Sequence, residues 1–283
     1  MQMGTFRTYI YGRWSLARVG RILFGVATMV FGLQQFIYPV SGVGLEFIPG
    51  NAPGHIVLAY LSGLLLYVCG MSILMKTRAR TSAILLASFF LLCVIIFQLT
   101  KVFANIHDLI ERTVAFETLA LCSGSLIVAG LLPPERYESR KLLCAARMMK
   151  NWGQYILAIC MIVFGIDHLE VAQYVASLIP AWIPFHLFWV YFTAFGFVAG
   201  AISFLIQNKT FSPEIFRWGG PLLGFMFLLW VLVLHTPRVA ANIHNGNEWN
   251  SAFVALAMSG CVWLASAPRS TTTANNKRMA CIA

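Results

Sequence analysis

Acidic side chains are scarce in this chain. Ten Asp and Glu stand among 283 residues, and charges of both signs make up only 11%. A water-soluble domain carries about a quarter of its residues as charge, so a solvated globular surface over most of the length is excluded. Polar/apolar alternation over strands of about ten residues is also missing, which excludes an outer-membrane barrel. Cys-x-x-Cys and His-x-x-x-His do not occur, so neither a membrane dithiol oxidase nor a compact metal motif is signalled. No small-x-small cleavage site follows the Arg-rich start before Tyr38-Pro39, so the first apolar run is expected to be an uncleaved anchor.

What is present is apolar. Hydrophobic residues make up 59% and mean hydropathy is +0.76. The expectation is an all-α integral membrane protein of eight transmembrane helices, at 22–38, 56–75, 81–100, 113–132, 152–169, 183–206, 218–234 and 249–267. Trp and Tyr near the ends of these runs read as interface anchors.

The net charge of +10 is sorted by side rather than gathered into a nucleic-acid patch. Seventeen Lys and Arg fall on the N-terminal segment, the even-numbered connections and the tail; Lys101, Arg112 and Arg238 fall opposite. The positive-inside rule puts both termini in the cytoplasm. Five of the seven cysteines lie inside expected spans and none in an expected outer loop, so they read as small apolar side chains.

The chain also repeats itself. Ile48-Pro49-x-x-x-Pro53-x-His55 returns as Ile179-Pro180-x-x-x-Pro184-x-His186, an offset of 131. Ala104-Asn105-Ile106-His107 returns as Ala241-Asn242-Ile243-His244, an offset of 137 that also pairs Lys101 with Arg238 and Gln98 with His235. Phe31-Gly32 matches Phe164-Gly165, and Ser123-Gly124 matches Ser259-Gly260. An even number of spans per half predicts two parallel four-helix bundle repeats about an axis along the membrane normal. The halves are 1–132 and 152–267, with a cytoplasmic linker at 133–151 and a cytoplasmic tail at 268–283.

Arg18, Arg21, Gly25 and Gly32 form an Arg-rich entry to a glycine-containing first helix; Pro49 and Pro53 punctuate the approach to the second; Asn247-Glu248-Trp249-Asn250 opens the last. On these features the chain resembles the DoxX-like family of small bacterial inner-membrane proteins. The resemblance implies a four-helix unit, present here as a fused tandem. It also implies an accessory role beside quinone-linked or other membrane redox subunits rather than an established catalytic one.

All six histidines and seven of the ten acids fall toward the expected outer side. Gln98, Lys101 and Asn105, at i, i+3 and i+7, share about 60° of arc on a regular helix. His235, Arg238 and Asn242 repeat them. Such a stripe supplies the convergent donors that a small anion or a quinone-like headgroup requires; the plainer reading is a cation snorkelling to lipid phosphate. His55 and His186 follow a proline at the start of the next helix and complete the two candidate ligand sites. His186, His235 and His244 with Asp167 or Glu248 have the donor types for a transition metal, but the first half has Gln98 where the second has His235, so such a site would belong to the second half, and no metal site is assigned. Glu117, inside the fourth span, is expected to meet Lys101 or Arg112.

The reading is a non-catalytic DoxX-like membrane component with outer-facing polar pockets for a small ligand or lipid headgroup, its ligand and cofactors unnamed. One alternative is a small-molecule carrier, yet beyond Thr28, Gln34 and Ser88 few polar groups continue through the bilayer centre. The other is a quinone-linked oxidoreductase subunit; haem is disfavoured because every histidine lies toward one end.

Overall fold

The computed structural model describes residues 2–39, 47–132, 140–206 and 216–267, and among these every regular element is helical. The first half contains α1 (Gln2–Ile37), α2 (His55–Met75), α3 (Ala79–Cys93), a π-helical turn (Val94–Gln98), α4 (Leu99–Ala104) and α5 (Leu109–Leu131). The second contains α6 (Arg140–Glu170), the short α7 (Ala172–Ser177), α8 (His186–Ile206), α9 (Phe216–Trp230), a second π-helical turn (Val231–His235), α10 (Thr236–Ala241) and α11 (Gly246–Ala265). α3 runs through its π turn into α4 as one rod, Ala79–Ala104; α9 does the same into α10.

Among the described residues seven helices are long and apolar enough to cross a membrane. α11, where the eighth span was expected, is helical but not among the seven. Asn247, Glu248 and Asn250 dilute its first turns, while its distal half from Ala257 to Ala265 is buried throughout. A helix wrapped by protein does not need a lipid-grade exterior. The expected linker is corrected too. Residues 140–151 belong to α6, because Arg140-Lys141-Leu142-Leu143 and Ala145-Ala146 are good helix formers. Residues 133–139 and the tail at 268–283 lie outside the described residues.

The helices do not form two separate bundles. Within the first half α1 packs on α2, α2 on α3 and α3 on α5; within the second, α6 packs on α8, α8 on α9 and α9 on α11. The circle then closes across the halves: α1 lies against α11, α6 lies against α5, and α5 meets α11 in the middle. Each half's first helix thus seats on the other half's fourth, so the two four-helix sets share their seams.

Small residues allow these crossings. A Cβ at Gly20 would stand 2.8 Å from the Gly260 carbonyl, and one at Gly153 equally close to that of Ser123. At the centre Gly124 faces the Cys261 thiol. Side chains reach across at the end where α2, α5 and α11 finish, and they are basic. Arg21 donates to the carbonyls of Ile73 and Leu74, Arg80 to those of Ala129 and Leu132, and Lys150 to that of Ala267. These carbonyls lack helical partners and carry the negative end of the dipole. Helix-end carbonyls thus hold Arg21, Arg80 and Lys150 at this end.

Candidate functional site

The opposite end, where α2, α5, α8 and α11 begin, holds the histidines and most of the acids. Each half brings a π-helical turn to it, and the ring closures correspond: Leu99 N–H bonds to Val94 O, Thr236 N–H to Val231 O. A π turn widens the helix locally and is a frequent accompaniment of functional sites. Neither turn was legible along the chain, since a one-residue change in hydrogen-bond partner leaves the apolar pattern almost unaltered.

In the first half Gln98 is the last residue of the π turn and only 2% exposed. Its Nε2 donates to Thr118 Oγ1 on α5 at 2.9 Å, and Thr118 in turn donates to Val114 O. The Gln98 Oε1 atom is buried without a partner. Lys101 reaches α5 as well, with Nζ 3.0 Å from Glu111 Oε1. The expected stripe thus faces the neighbouring helix rather than lipid, and its cation is neutralised.

Asn105 departs from the stripe. It caps α4 in an extended conformation, is exposed, and accepts the His107 backbone N–H through Oδ1. Its polar side chain satisfies a turn. Asn242 ends α10 at the equivalent place, exposed and out of helical conformation. Both are corrected to chain-reversal residues. Asp108 and Asn245 then start α5 and α11 by accepting backbone N–H groups.

In the second half Arg238 binds Glu248 on α11 through two contacts, Nη2 to Oε1 at 3.0 Å and Nε to Oε2 at 2.9 Å. His235 ends the π turn within electrostatic reach of both. Its Nδ1 is buried and unpartnered. The position matching Thr118 at the offset of 137 is Ala255, so the hydroxyl that holds Gln98 has no counterpart here. Indole Nε1 of Trp230, at the start of the same π turn, is also buried without a partner.

His55 and His186 open α2 and α8. His55 and Leu99 are each twenty residues from the α2/α3 turn, which puts His55 level with the stripe. Its Nδ1 is buried and unpartnered. His186 is half-buried, and His186, His235 and His244 are not gathered with Asp167 or Glu248 into a group that could hold a metal ion among the described residues.

The expected partner of Glu117 is also corrected. Lys101 takes Glu111, and Arg112 takes two acids of α6. It contacts Asp167 at 2.7 Å and pairs with Glu170, while Thr113 donates to Asp167 Oδ2 at 3.3 Å. Glu117 remains half-buried on α5, within electrostatic reach of Asp167. Asp167 was visible as a charged residue in a span and Arg112 as a cation just before one, but their pairing needed the α5/α6 contact, which no spacing encodes.

These contacts keep one register. Beyond the two ion pairs, Cys122 Sγ donates to Ala87 O and Ser259 Oγ to Gly224 O; Arg112 donates to Ile106 O and Trp249 to Ile243 O. All are 137 residues apart. The Ser123-Gly124 match with Ser259-Gly260 stands one residue out of that register. Compared with protein-family models, with curated proteins and with solved structures, the chain gives no match.

Proposed function

We propose that the chain is an eight-helix inner-membrane protein of two parallel four-helix repeats, DoxX-like in kind, with both termini in the cytoplasm. In this reading it is a binding component of a membrane assembly, and each repeat offers one polar site at its outer end for a small headgroup. The carrying observation is Gln98: a carboxamide 2% exposed, inside a membrane span, with one acceptor atom left unpaired beside a neutralised ion pair. An unpaired buried acceptor costs about 1–3 kcal/mol. A site that exchanges that cost for a ligand's donor accounts for its retention.

The recurring contacts at 137 support the two-repeat arrangement, and the cations on the ends of α2, α5 and α11 support an inward-facing basic side. Because Lys101 and Arg238 are each matched by a glutamate, the sites suit a neutral polar headgroup better than an anion. The test is purification in mild detergent with mass spectrometry of co-purified small molecules, repeated on Gln98→Leu. Retention of one species by the native protein and its loss by at least tenfold in a folded variant is the expected result. Equal retention by both would remove Gln98 from the site.

A further inference from the structure

At its π turn the second half carries two unpaired buried nitrogens, with Glu248 Oε2 on α11 also without a hydrogen bond, where the first half's π turn carries one unpaired oxygen. Trp230 Nε1 and His235 Nδ1 begin and end the π turn Val231–His235. A ring that closes five residues back sets residue i+5 one turn beyond residue i, so the two residues stand one turn apart on the same side of the rod. The first half has the free thiol of Cys93 at the position of Trp230, and Gln98 at that of His235. Ala255 in place of Thr118 leaves His235 without the hydroxyl that answers Gln98 in the first half. Buried donors left without an acceptor are costly, so a partner for these two is favoured.

The chemistry of the missing partner follows from the atoms. An indole N–H only donates, so the partner must accept. A neutral imidazole protonated at Nδ1 donates too, and two donors one turn apart converge on a single oxygen. That oxygen need not be charged, since Arg238 is already paired with Glu248. The rod Trp218–Ala241 is the least buried of the seven spans, with 17% of its most apolar stretch inside the protein against 39% for Ala79–Ala104. The approach is therefore from the bilayer, and the partner is an amphiphile.

We propose that Trp230 and His235 form a carbonyl-binding site for a neutral amphiphile that enters from the bilayer. The oxygen belongs either to an acyl-ester lipid or to a free membrane-dissolved ketone. The proposal rests on the ligand-binding reading above and assigns to the second repeat a ligand class opposite in hydrogen-bond sense to that of Gln98 Oε1.

The test uses the full chain, labelled with nitrogen-15 in its tryptophans, in nanodiscs of ether-linked lipid and in nanodiscs of ester-linked lipid. Trp230→Phe assigns the indole resonance. Methyl nonyl ketone is the added probe and undecane its control. A downfield shift of the Trp230 indole proton in ester discs alone identifies the lipid carbonyl. A shift in ether discs only after the ketone is added identifies the free ketone, and either result supports the site. In the supporting case His235→Leu weakens the ketone response at least tenfold, whereas His235→Gln, which restores a donor, keeps it within about threefold. No shift under any condition overturns the proposal, as does the same shift in ether discs without ketone, because water or phosphate then fills the role. If Trp230 is silent while Gln98→Leu still loses its co-purified molecule, only the carbonyl site falls; if both measurements are silent, the wider reading falls with it.

Discussion

The seam between α5 and α6 and the seam between α11 and α1 are the same contact made twice, each joining one half's fourth helix to the other half's first. They are held by different means. At the histidine-rich end of the first, Arg112 is clasped by Asp167 and Glu170 with Thr113 alongside. At the second, Trp249 and Asn250 occupy the positions of Arg112 and Thr113, and the first-helix residue matching Asp167 is Gln34, buried with its Nε2 unpaired. What survives in both is backbone proximity and the bond from the Arg112 or Trp249 side chain to the preceding loop carbonyl. Side-chain chemistry at a packed helix crossing is replaceable so long as the small residues beneath it are kept. A buried charge, however, ties its partners together, and a tryptophan does not.

Removing the charged clasp should have the largest effect. Arg112→Met leaves Asp167, 5% exposed, without its cation, and should cost about 3–5 kcal/mol of unfolding free energy in a reversible detergent titration. Trp249→Phe, its counterpart, should cost only about 1 kcal/mol. Equal losses would mean that the two seams are energetically alike despite their chemistry.

The shared backbone contact should come next. Gly260→Leu drives a side chain into Gly20 and Phe24 backbone, and Gly153→Leu does so into Ser123; each should lose about 1–3 kcal/mol or more in the same titration. A large loss at one seam alone would show that only that one bears load.

A finer comparison concerns Gln98. Thr118→Val strands the Gln98 amide and should cost about 1–3 kcal/mol, whereas Thr118→Val with Gln98→Leu should be nearly neutral. His235→Leu, which removes an atom already unpaired, should be neutral or slightly stabilising when no ligand is present.

The smallest effect is at the entry to α2 and α8. Gly54 (φ +70°) stands 131 residues before Phe185 (φ +58°), so glycine in one half and an exposed phenylalanine in the other take the same left-handed turn. A non-glycine residue pays about 1–2 kcal/mol there, partly offset by the chain entropy of glycine. Phe185→Gly should therefore raise stability by about 0.5–1 kcal/mol, and Gly54→Phe should lower it by a similar amount. A destabilised Phe185→Gly would show that the exposed ring makes a contact worth more than the strain.

The sequence by itself determined the solvent, the approximate extent of the helices, the separation of basic and histidine-rich ends, and the recurrence of short motifs. All of these are local or compositional properties: an apolar run of about 20 residues, or a proline two residues before a histidine, carries its meaning wherever the chain goes. Gln98, Lys101, His235 and Arg238 were legible as a stripe for the same reason. Tertiary structure alone decided who answers them. Whether Lys101 meets Glu111 or Glu117, whether Asn105 lines a site or caps a turn, and whether α1 seats on α5 or on α11 depend on helix ends, π turns and approaches across the molecule. The weakly apolar α11 makes the point most directly. Its composition fell short of a lipid-facing span because the fold surrounds it with protein, and no pattern along the chain records which neighbours a helix will have.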